Sequence, residues 1–447
     1  GQSLCLIGPN GAGKSTVLHS IFGFTNIFSG KISIGGKDVT NLTPSQKLSE
    51  AGIAYILQDK SVFPQMTVEE NLLMGGFLLS RGMESTGAHT RIAVTVVRFV
   101  GADEPKRLIM GFMLAAALLS MWISNTATVL MLLPVAMAVI ATSSAPKALA
   151  APLLLGLAWA CSIGGLGTPI GTPPTLIFMQ VYEDTTGTAI SFSQWMSWGI
   201  PVVALMIPLI AIALARKVPS DLVVDLPDIG KWRSAERRVL IIFGLTALAW
   251  MTRTEPFGGW RAWLDMPLAN DAAVAFCAVV VLFITRDEEG KPLITWEQAS
   301  NIPWGVLLLF AGGITLAKGF VSSGLSGQVG ELLASLAMVP TLIAIATVAL
   351  LVTALTEATS NTATTALLMP ILAAASMAAG IDPLILMVPA AMSASCAFML
   401  PVATAPNAVV FGTGQIEIRT MVRWGIWVNF LGALLITSVV YLVTTAA

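Results

Sequence analysis

Ser124-Asn125-Thr126-Ala127-Thr128 is a polar pentapeptide inside an apolar run, and the same five residues return as Ser360-Asn361-Thr362-Ala363-Thr364. The first lies within the run 107–142 and the second within 328–379. The first interrupts about 35 apolar residues, too many for one spanning helix and too few for two spans and a loop, and the second is read on the same plan. Two short arms meeting at a polar tip, a re-entrant hairpin, fit that length. Ser, Asn and Thr are N-cap residues, so the second arm should start just after the tip. Its positive dipole end then points at the bilayer midplane.

The duplication extends to both sides. Gly75-Gly76-Phe77-Leu78-Leu79-Ser80-Arg81-Gly82 pairs with Gly312-Gly313-Ile314-Thr315-Leu316-Ala317-Lys318-Gly319. Leu133-Pro134 pairs with Met369-Pro370, and Gly171-Thr172-Pro173-Pro174-Thr175 with Ala403-Thr404-Ala405-Pro406-Asn407. Matched blocks in the same order are an internal repeat, one copy about 75–216 and the other about 303–447. The proline-bearing blocks break their helices. Unwound backbone survives at membrane depth only when buried or lining a cavity.

Composition agrees with lipid as the main solvent. The 447 residues are 55% hydrophobic and 11% charged, with mean hydropathy +0.80, where soluble domains carry about 25% charged residues. Basic residues cluster at Lys106, Arg107, Lys147, Arg216, Lys217, Lys231, Arg233, Arg237, Arg238, Arg286, Lys291, Arg419 and Arg423. These mark the cytoplasmic side. Five apolar runs separate the two pentapeptides: 149–183, 192–216, 237–252, 271–285 and 303–323. An odd number places the repeats facing opposite sides, the inverted plan of secondary transporters. The reading is therefore an all-α polytopic protein of the cytoplasmic (inner) membrane, with two re-entrant hairpins and two broken helices. With two histidines and four scattered cysteines, a transition-metal site is not expected. The cysteines read as small core residues. A nucleic-acid partner is not expected either.

The motifs LSMWISNTATVLMLLP, IGGLGTPIGTPPT, TEATSNTATTALLMP and CAFMLPVATAPNAVVFG resemble those of the divalent anion:sodium symporters, carriers of dicarboxylates, tricarboxylates or sulfate. The resemblance covers about 75–447. It implies substrate contacts at Asn125, Thr126, Thr172, Asn361, Thr362 and Thr404. It implies one sodium near Ser120, Ser124, Asn125 and Gly171, and another near Thr356, Thr359, Asn361 and Ala403. It also implies a homodimer. Thr175 stands where the family has Asn, and the family's first helices have no counterpart ahead of Gly75. Hydroxyl, amide and carbonyl oxygens suit a hard cation. No Lys or Arg lies in these motifs, so dipoles and bound cations must offset the anion's charge. Glu357, an acid inside the apolar run, reads either as functional or as a group paired with backbone at the hairpin tip.

Residues 1–74 read differently. Gly8-Pro9-Asn10-Gly11-Ala12-Gly13-Lys14-Ser15-Thr16 follows a short apolar strand and precedes a helical pattern. Its glycines free backbone N–H groups for phosphate, Lys14 reaches the outer phosphates and Ser15 serves Mg²⁺. KISIGGKDV reads as a hairpin. With Gln58 in a Q-loop position and FPQMTVEENLLMG beyond it, the segment resembles the ATP-binding subunit of branched-chain amino-acid ABC importers. Gly8, Asn10, Gly11, Gly13, Lys14, Ser15, Thr16 and Gln58 would touch ATP and Mg²⁺. No Walker B strand, signature loop or switch His follows, so ATP hydrolysis is not expected. An importer ATPase subunit is thus the second reading. The junction is placed near Met74–Gly76, as a severed α/β fragment joined by gene fusion or an assembly error. The chain opens on Gly1 without a signal peptide, and its own start and the membrane part's first helices are expected to be missing.

Overall fold

A computed structural model describes residues 67–101, 104–220, 230–255, 257–308 and 339–446, with short pieces inside 20–46 and 311–324. The chain forms two units, Gly1–Gln65 and Met66–Ala447. In the first, β1 (Ser33–Ile34) pairs antiparallel with β2 (Lys37–Asp38), the hairpin expected of KISIGGKDV. The phosphate-loop residues Gly8 to Thr16 and Gln58 lie outside the described residues.

The described part of the second unit is helical. Helix α1 (Val68–Thr86) starts at a capping box. Thr67 Oγ1 accepts from Glu70 N (3.2 Å) while Glu70 Oε2 accepts from Thr67 N (2.7 Å), satisfying two end groups reciprocally. The helix runs unbroken through Met74–Gly75. A Cβ at Gly75 would stand 2.5 Å from Ala275 Cβ, and one at Gly82 would stand 2.8 Å from Leu282 Cδ1. These glycines let α1 lie close on α10 (Asp271–Ile284).

The remaining order is α2 (Ala88–Val100), α3 (Pro105–Ser120), α4 (Asn125–Thr142), α5 (Pro146–Gly164), α6 (Pro173–Thr186), α7 (Phe192–Ala215), α8 (Ser234–Met251) and α9 (Gly259–Trp263). After α10 come α11 (Trp296–Ser300), α12 (Thr341–Thr356), α13 (Asn361–Ala379), α14 (Leu384–Ser393), α15 (Ala405–Phe411) and α16 (Ile418–Ala446). Two helix–tip–helix pairs, α3–α4 and α12–α13, contain the repeated pentapeptides. Their arms have 16 and 18 residues, then 16 and 19. These are longer than the short limbs expected. At 1.5 Å per residue they approach the thickness of a bilayer core.

Packing partners recur along the two halves. Helix α3 packs on α5 and α7 as α12 packs on α14 and α16, and α4 meets α5 as α13 meets α14. The halves also exchange partners: α6 packs on α13, and α15 packs on α4. Each short helix after a break is thus seated on the other half's tip helix.

Among the described residues, five helices are long and apolar enough to cross a membrane: Asn125–Thr142, Pro146–Gly167, Phe192–Ala215, Asn361–Ala379 and Ile418–Thr444. The run 271–285, expected to cross, forms a helix of only 14 residues, begun by Asn270 capping Ala273 N. Large side chains stand exposed along α8 (Ile241, Leu245, Leu248), α12 (Ile343, Leu351) and α16 (Phe430, Leu434, Leu442). Apolar faces of this extent need lipid or a partner. Cys161 and Cys396 are core residues as expected, whereas Cys277 is exposed on α10.

Candidate functional site

Helix α4 begins at Asn125, with Ser124 as its N-cap, and Ser124 Oγ accepts from Ala127 N (3.3 Å). Behind the tip, Ser120 Oγ donates to Asn125 Oδ1 (2.6 Å). Helix α5 ends beside the same amide. It passes through one 3₁₀ turn (Gly165–Gly167), unwinds, and restarts as α6 with Thr172 at the cap position and Pro173 at N1, where a missing N–H costs nothing. A Cβ at Gly165 would lie 2.5 Å from Thr172 Cγ2, 2.9 Å from Asn125 Oδ1 and 3.1 Å from Gly171 O. Ser120, Asn125 and Gly171 therefore bring oxygen atoms to one small cradle that Thr172 flanks with its methyl group, kept open by glycine. Ser124 is turned to its own helix start, and Thr126 is exposed.

The second tip repeats the bond. Thr356 Oγ1 lies 2.8 Å from Asn361 Oδ1, at the positions matching Ser120 and Asn125. Thr356 also reaches Ala394 O at 2.8 Å, where α14 has ended and the chain unwinds. Ser360 caps α13 without a side-chain bond. Thr362 is buried. Thr359 Oγ1 donates to Leu355 O (2.8 Å) and lies 2.6 Å from Thr364 Oγ1, so its hydrogen is used within the tip. Thr404 Oγ1 caps α15 by accepting from Asn407 N (3.3 Å). Ala403 is buried and donates its N–H to Leu400 O (3.2 Å).

Glu357 makes no ion pair among the described residues. Its Oε1 accepts from Phe398 N (2.7 Å), Met399 N (2.9 Å) and Asn429 Nδ2 (2.7 Å), and Oε2 accepts from Leu400 N (3.1 Å). Of the two readings left open for it, the backbone-paired one describes this geometry. The backbone it holds is the distant broken stretch, not its own tip.

The two half-sites touch. Ser395 Oγ donates to Thr172 Oγ1 (3.4 Å), and Thr172 lies 3.3 Å from Thr175 Oγ1. Ser395 and Gly165 were not singled out from sequence. Gly165 stood inside a quoted motif, whereas Ser395 lies just ahead of one, in a run of small residues. Asn429 also went unread. An Asn deep in an apolar run is costly unless partnered, and that was its signal.

The donors assembled here are hydroxyl, amide and backbone carbonyl oxygens. Helices α4, α6 and α13 all start among them, presenting positive dipole ends. Such a set fits a hard cation beside an anion.

Residues 17–387 match the CitMHS citrate transporter family, a range that begins inside the segment read as ATPase-like. A sodium-dependent dicarboxylate transporter, SdcS, from Staphylococcus saprophyticus is 40% identical over 394 residues, spanning 83% of this chain and 75% of the relative. Its namesake from Staphylococcus aureus strain USA300 is 38% identical over 426 residues, spanning 90% and 78%. Among solved structures, the YdaH transporter of Alcanivorax borkumensis aligns with TM-score 0.53 at 16% identity, over 95% of this chain and 94% of that one. That likeness is one of fold. With its paired tips and paired breaks, the chain belongs to the CitMHS citrate transporter family.

Proposed function

We propose that this protein is a secondary transporter of the cytoplasmic membrane that moves a divalent anion, a di- or tricarboxylate or sulfate, together with sodium. Its relatives are sodium-dependent dicarboxylate transporters. The observation that carries the reading is the paired hydroxyl–amide contact, Ser120 to Asn125 and Thr356 to Asn361, in a region whose motifs hold no Lys or Arg. An anion arriving alone would meet dipoles only, at a depth where uncompensated charge is costly. Sodium supplies the missing charge. In this reading one sodium binds Ser120, Ser124, Asn125 and Gly171, and the other Thr356, Thr359, Asn361 and Ala403. Asn125, Thr126, Thr172, Asn361, Thr362 and Thr404 hold the anion. Anion and sodium affinities must then rise together, since coupling is reciprocal.

The test is uptake of labelled succinate, citrate and sulfate into proteoliposomes. Sodium-driven uptake of at least one is expected. Uptake unchanged when potassium or choline replaces sodium would remove the coupling, and uptake of none would remove the substrate class.

The recurring packing supports two repeats, the odd number of apolar runs between the pentapeptides supports their opposite orientation, and a homodimer is the assembly we propose. Residues 1–74 are proposed to be ATPase-derived sequence joined near Met74–Gly76. Cysteine accessibility across a sealed bilayer tests the orientation. Phosphate release no greater than that of Lys14→Ala is expected of the purified chain. One uninterrupted DNA read through codons 70–80, with a matching single transcript, would establish the join as genomic; its absence would mark an assembly error.

A further inference from the structure

The turn Ala394-Ser395 touches both half-sites in consecutive residues. Ala394 O faces Thr356 Oγ1 at 2.8 Å, and Ser395 Oγ faces Thr172 Oγ1 at 3.4 Å. Thr356 and Ser395 are fully enclosed and Thr172 is 2% exposed, so both contacts lie out of bulk solvent. The turn is itself fixed. Ala394 N donates to Ala390 O (2.9 Å), Ser395 N to Met392 O (3.1 Å) and Cys396 N to Ser393 O (2.9 Å). Moving Ala394 moves Ser395.

Thr356 has one hydroxyl hydrogen and two acceptors in reach, Asn361 Oδ1 and Ala394 O. A hydroxyl donates to one of them at a time. When a cation binds both Thr356 Oγ1 and Asn361 Oδ1, the amide oxygen turns to the cation and the hydrogen goes to Ala394 O. The cation also polarises the hydroxyl and strengthens that bond. The turn is then pinned, and Ser395 is held on Thr172. Thr172 in turn neighbours Gly165, which opens the cradle on Asn125 Oδ1.

We infer that Ser395 is a positioning residue that couples the cation site at Asn361 to the one at Asn125, by passing the Thr356 hydrogen-bond switch through Ala394 to Thr172. This rests on the two-sodium reading above. It adds a residue that contacts neither ion and whose loss uncouples the two.

The experiment is sodium-dependent uptake of a labelled dicarboxylate in proteoliposomes, with sodium varied at fixed anion. The wild type is expected to show a Hill coefficient for sodium above 1. Ser395→Ala should lower it towards 1 and raise the sodium half-saturation about fivefold, the scale of one buried hydrogen bond. The maximal rate should stay within about twofold. Ser395→Thr should restore cooperativity. Thr172→Val, which removes the acceptor from the other side, should lower the Hill coefficient in the same way. The double variant should be no less cooperative than the worse single, the signature of a shared contact. A merely structural role for Ser395 would lower the amount of active protein and leave the Hill coefficient in place. An unchanged coefficient in Ser395→Ala, or multiplicative losses in the double variant, overturns the coupling while sodium-driven transport stands. Sodium-independent uptake by the wild type overturns both.

Discussion

The two tips hold the same amide by the same kind of bond and are themselves anchored in opposite ways. In the first, the residues between Ser120 and Asn125 are Met121-Trp122-Ile123-Ser124; in the second, Glu357-Ala358-Thr359-Ser360. Trp122 enters an aromatic stack, 6.2 Å from Trp250 and nearly parallel, with Phe243 edge-on at 5.2 Å. Met121 packs over Gly167, and its carbonyl accepts from Thr168 Oγ1. The first tip is thus held mainly by apolar area, reinforced by ring geometry. The second is held by one carboxylate that gathers three backbone N–H groups and an amide. Apolar anchors yield gradually to substitution. A buried carboxylate serving four donors does not, because every donor it abandons is left unpaired. A single repeated motif can therefore sit on one adaptable support and one brittle support.

The largest expected effect separates them at the matched positions. Glu357→Ala leaves Phe398 N, Met399 N, Leu400 N and Asn429 Nδ2 without their acceptor. At about 1–3 kcal/mol per buried donor, that rivals the whole stability of a domain. Loss of monodisperse protein on size-exclusion chromatography is expected. Met121→Leu, a volume-conserving change, should cost under about 1.5 kcal/mol. Equal tolerance at both positions would erase the contrast.

The unwound stretches differ as well. Gly171 stands where the second half has Ala403. A Cβ at Gly171 would fall on the backbone oxygen of Gly165, which cannot move aside as a flexible side chain can. Gly171→Ala is expected to reduce uptake more than tenfold by spoiling the cradle around Asn125. Ala403→Gly, in a stretch that already accommodates a methyl, should cost about 1 kcal/mol or less. Both are read from initial uptake rates normalised to reconstituted protein. Comparable losses would place the two half-sites in the same geometry.

Asn125→Ala and Asn361→Ala should each raise the sodium half-saturation and the anion KM together, by about tenfold for the loss of a charge-assisted contact. Asn361→Ala should also free Thr356 to donate permanently to Ala394, so its variant is expected to be the less cooperative of the two. A change in anion KM with sodium dependence intact would show that the amide serves the anion alone.

How much of this was legible follows from where each partner came from. Asn125 and Asn361 could be read because interhelical hydrogen bonding, which explains one polar residue in lipid, does not explain the same pentapeptide twice with a paired broken helix beside each. The breaks could be read because proline fixes φ and removes a donor. Glu357 was conspicuous, yet its partners are backbone amides some forty residues on, and a backbone amide has no sequence signature. Ser395 is one small residue among Ala, Ser and Cys, and only folding brings it to Thr172. Thr67-Val68-Glu69-Glu70 is a capping box in plain sequence. It was absorbed into the ATPase resemblance, and no helix was read there. The arm lengths were misjudged for a simpler reason: composition shows where an apolar run ends, not where its helix does.

The smallest effect concerns the two threonines that precede the restarted helices. Thr172 accepts from Ser395, and Thr404 accepts from Asn407 N. A hydroxyl that accepts from the protein keeps its own hydrogen for another acceptor, so each can still donate to a carboxylate of the anion. They differ in what is lost with the hydroxyl. Thr172 makes no side-chain cap to α6, whereas Thr404 caps α15. Thr404→Ala should therefore cost about 1 kcal/mol of stability for the cap, seen as a lowering of Tm of a few degrees, along with a rise in anion KM of about threefold for one neutral hydrogen bond. Thr404→Ser keeps the oxygen in place and should restore both. A lowered Tm with an unchanged KM would assign Thr404 to the helix cap alone and leave Thr172 as the hydroxyl that meets the anion.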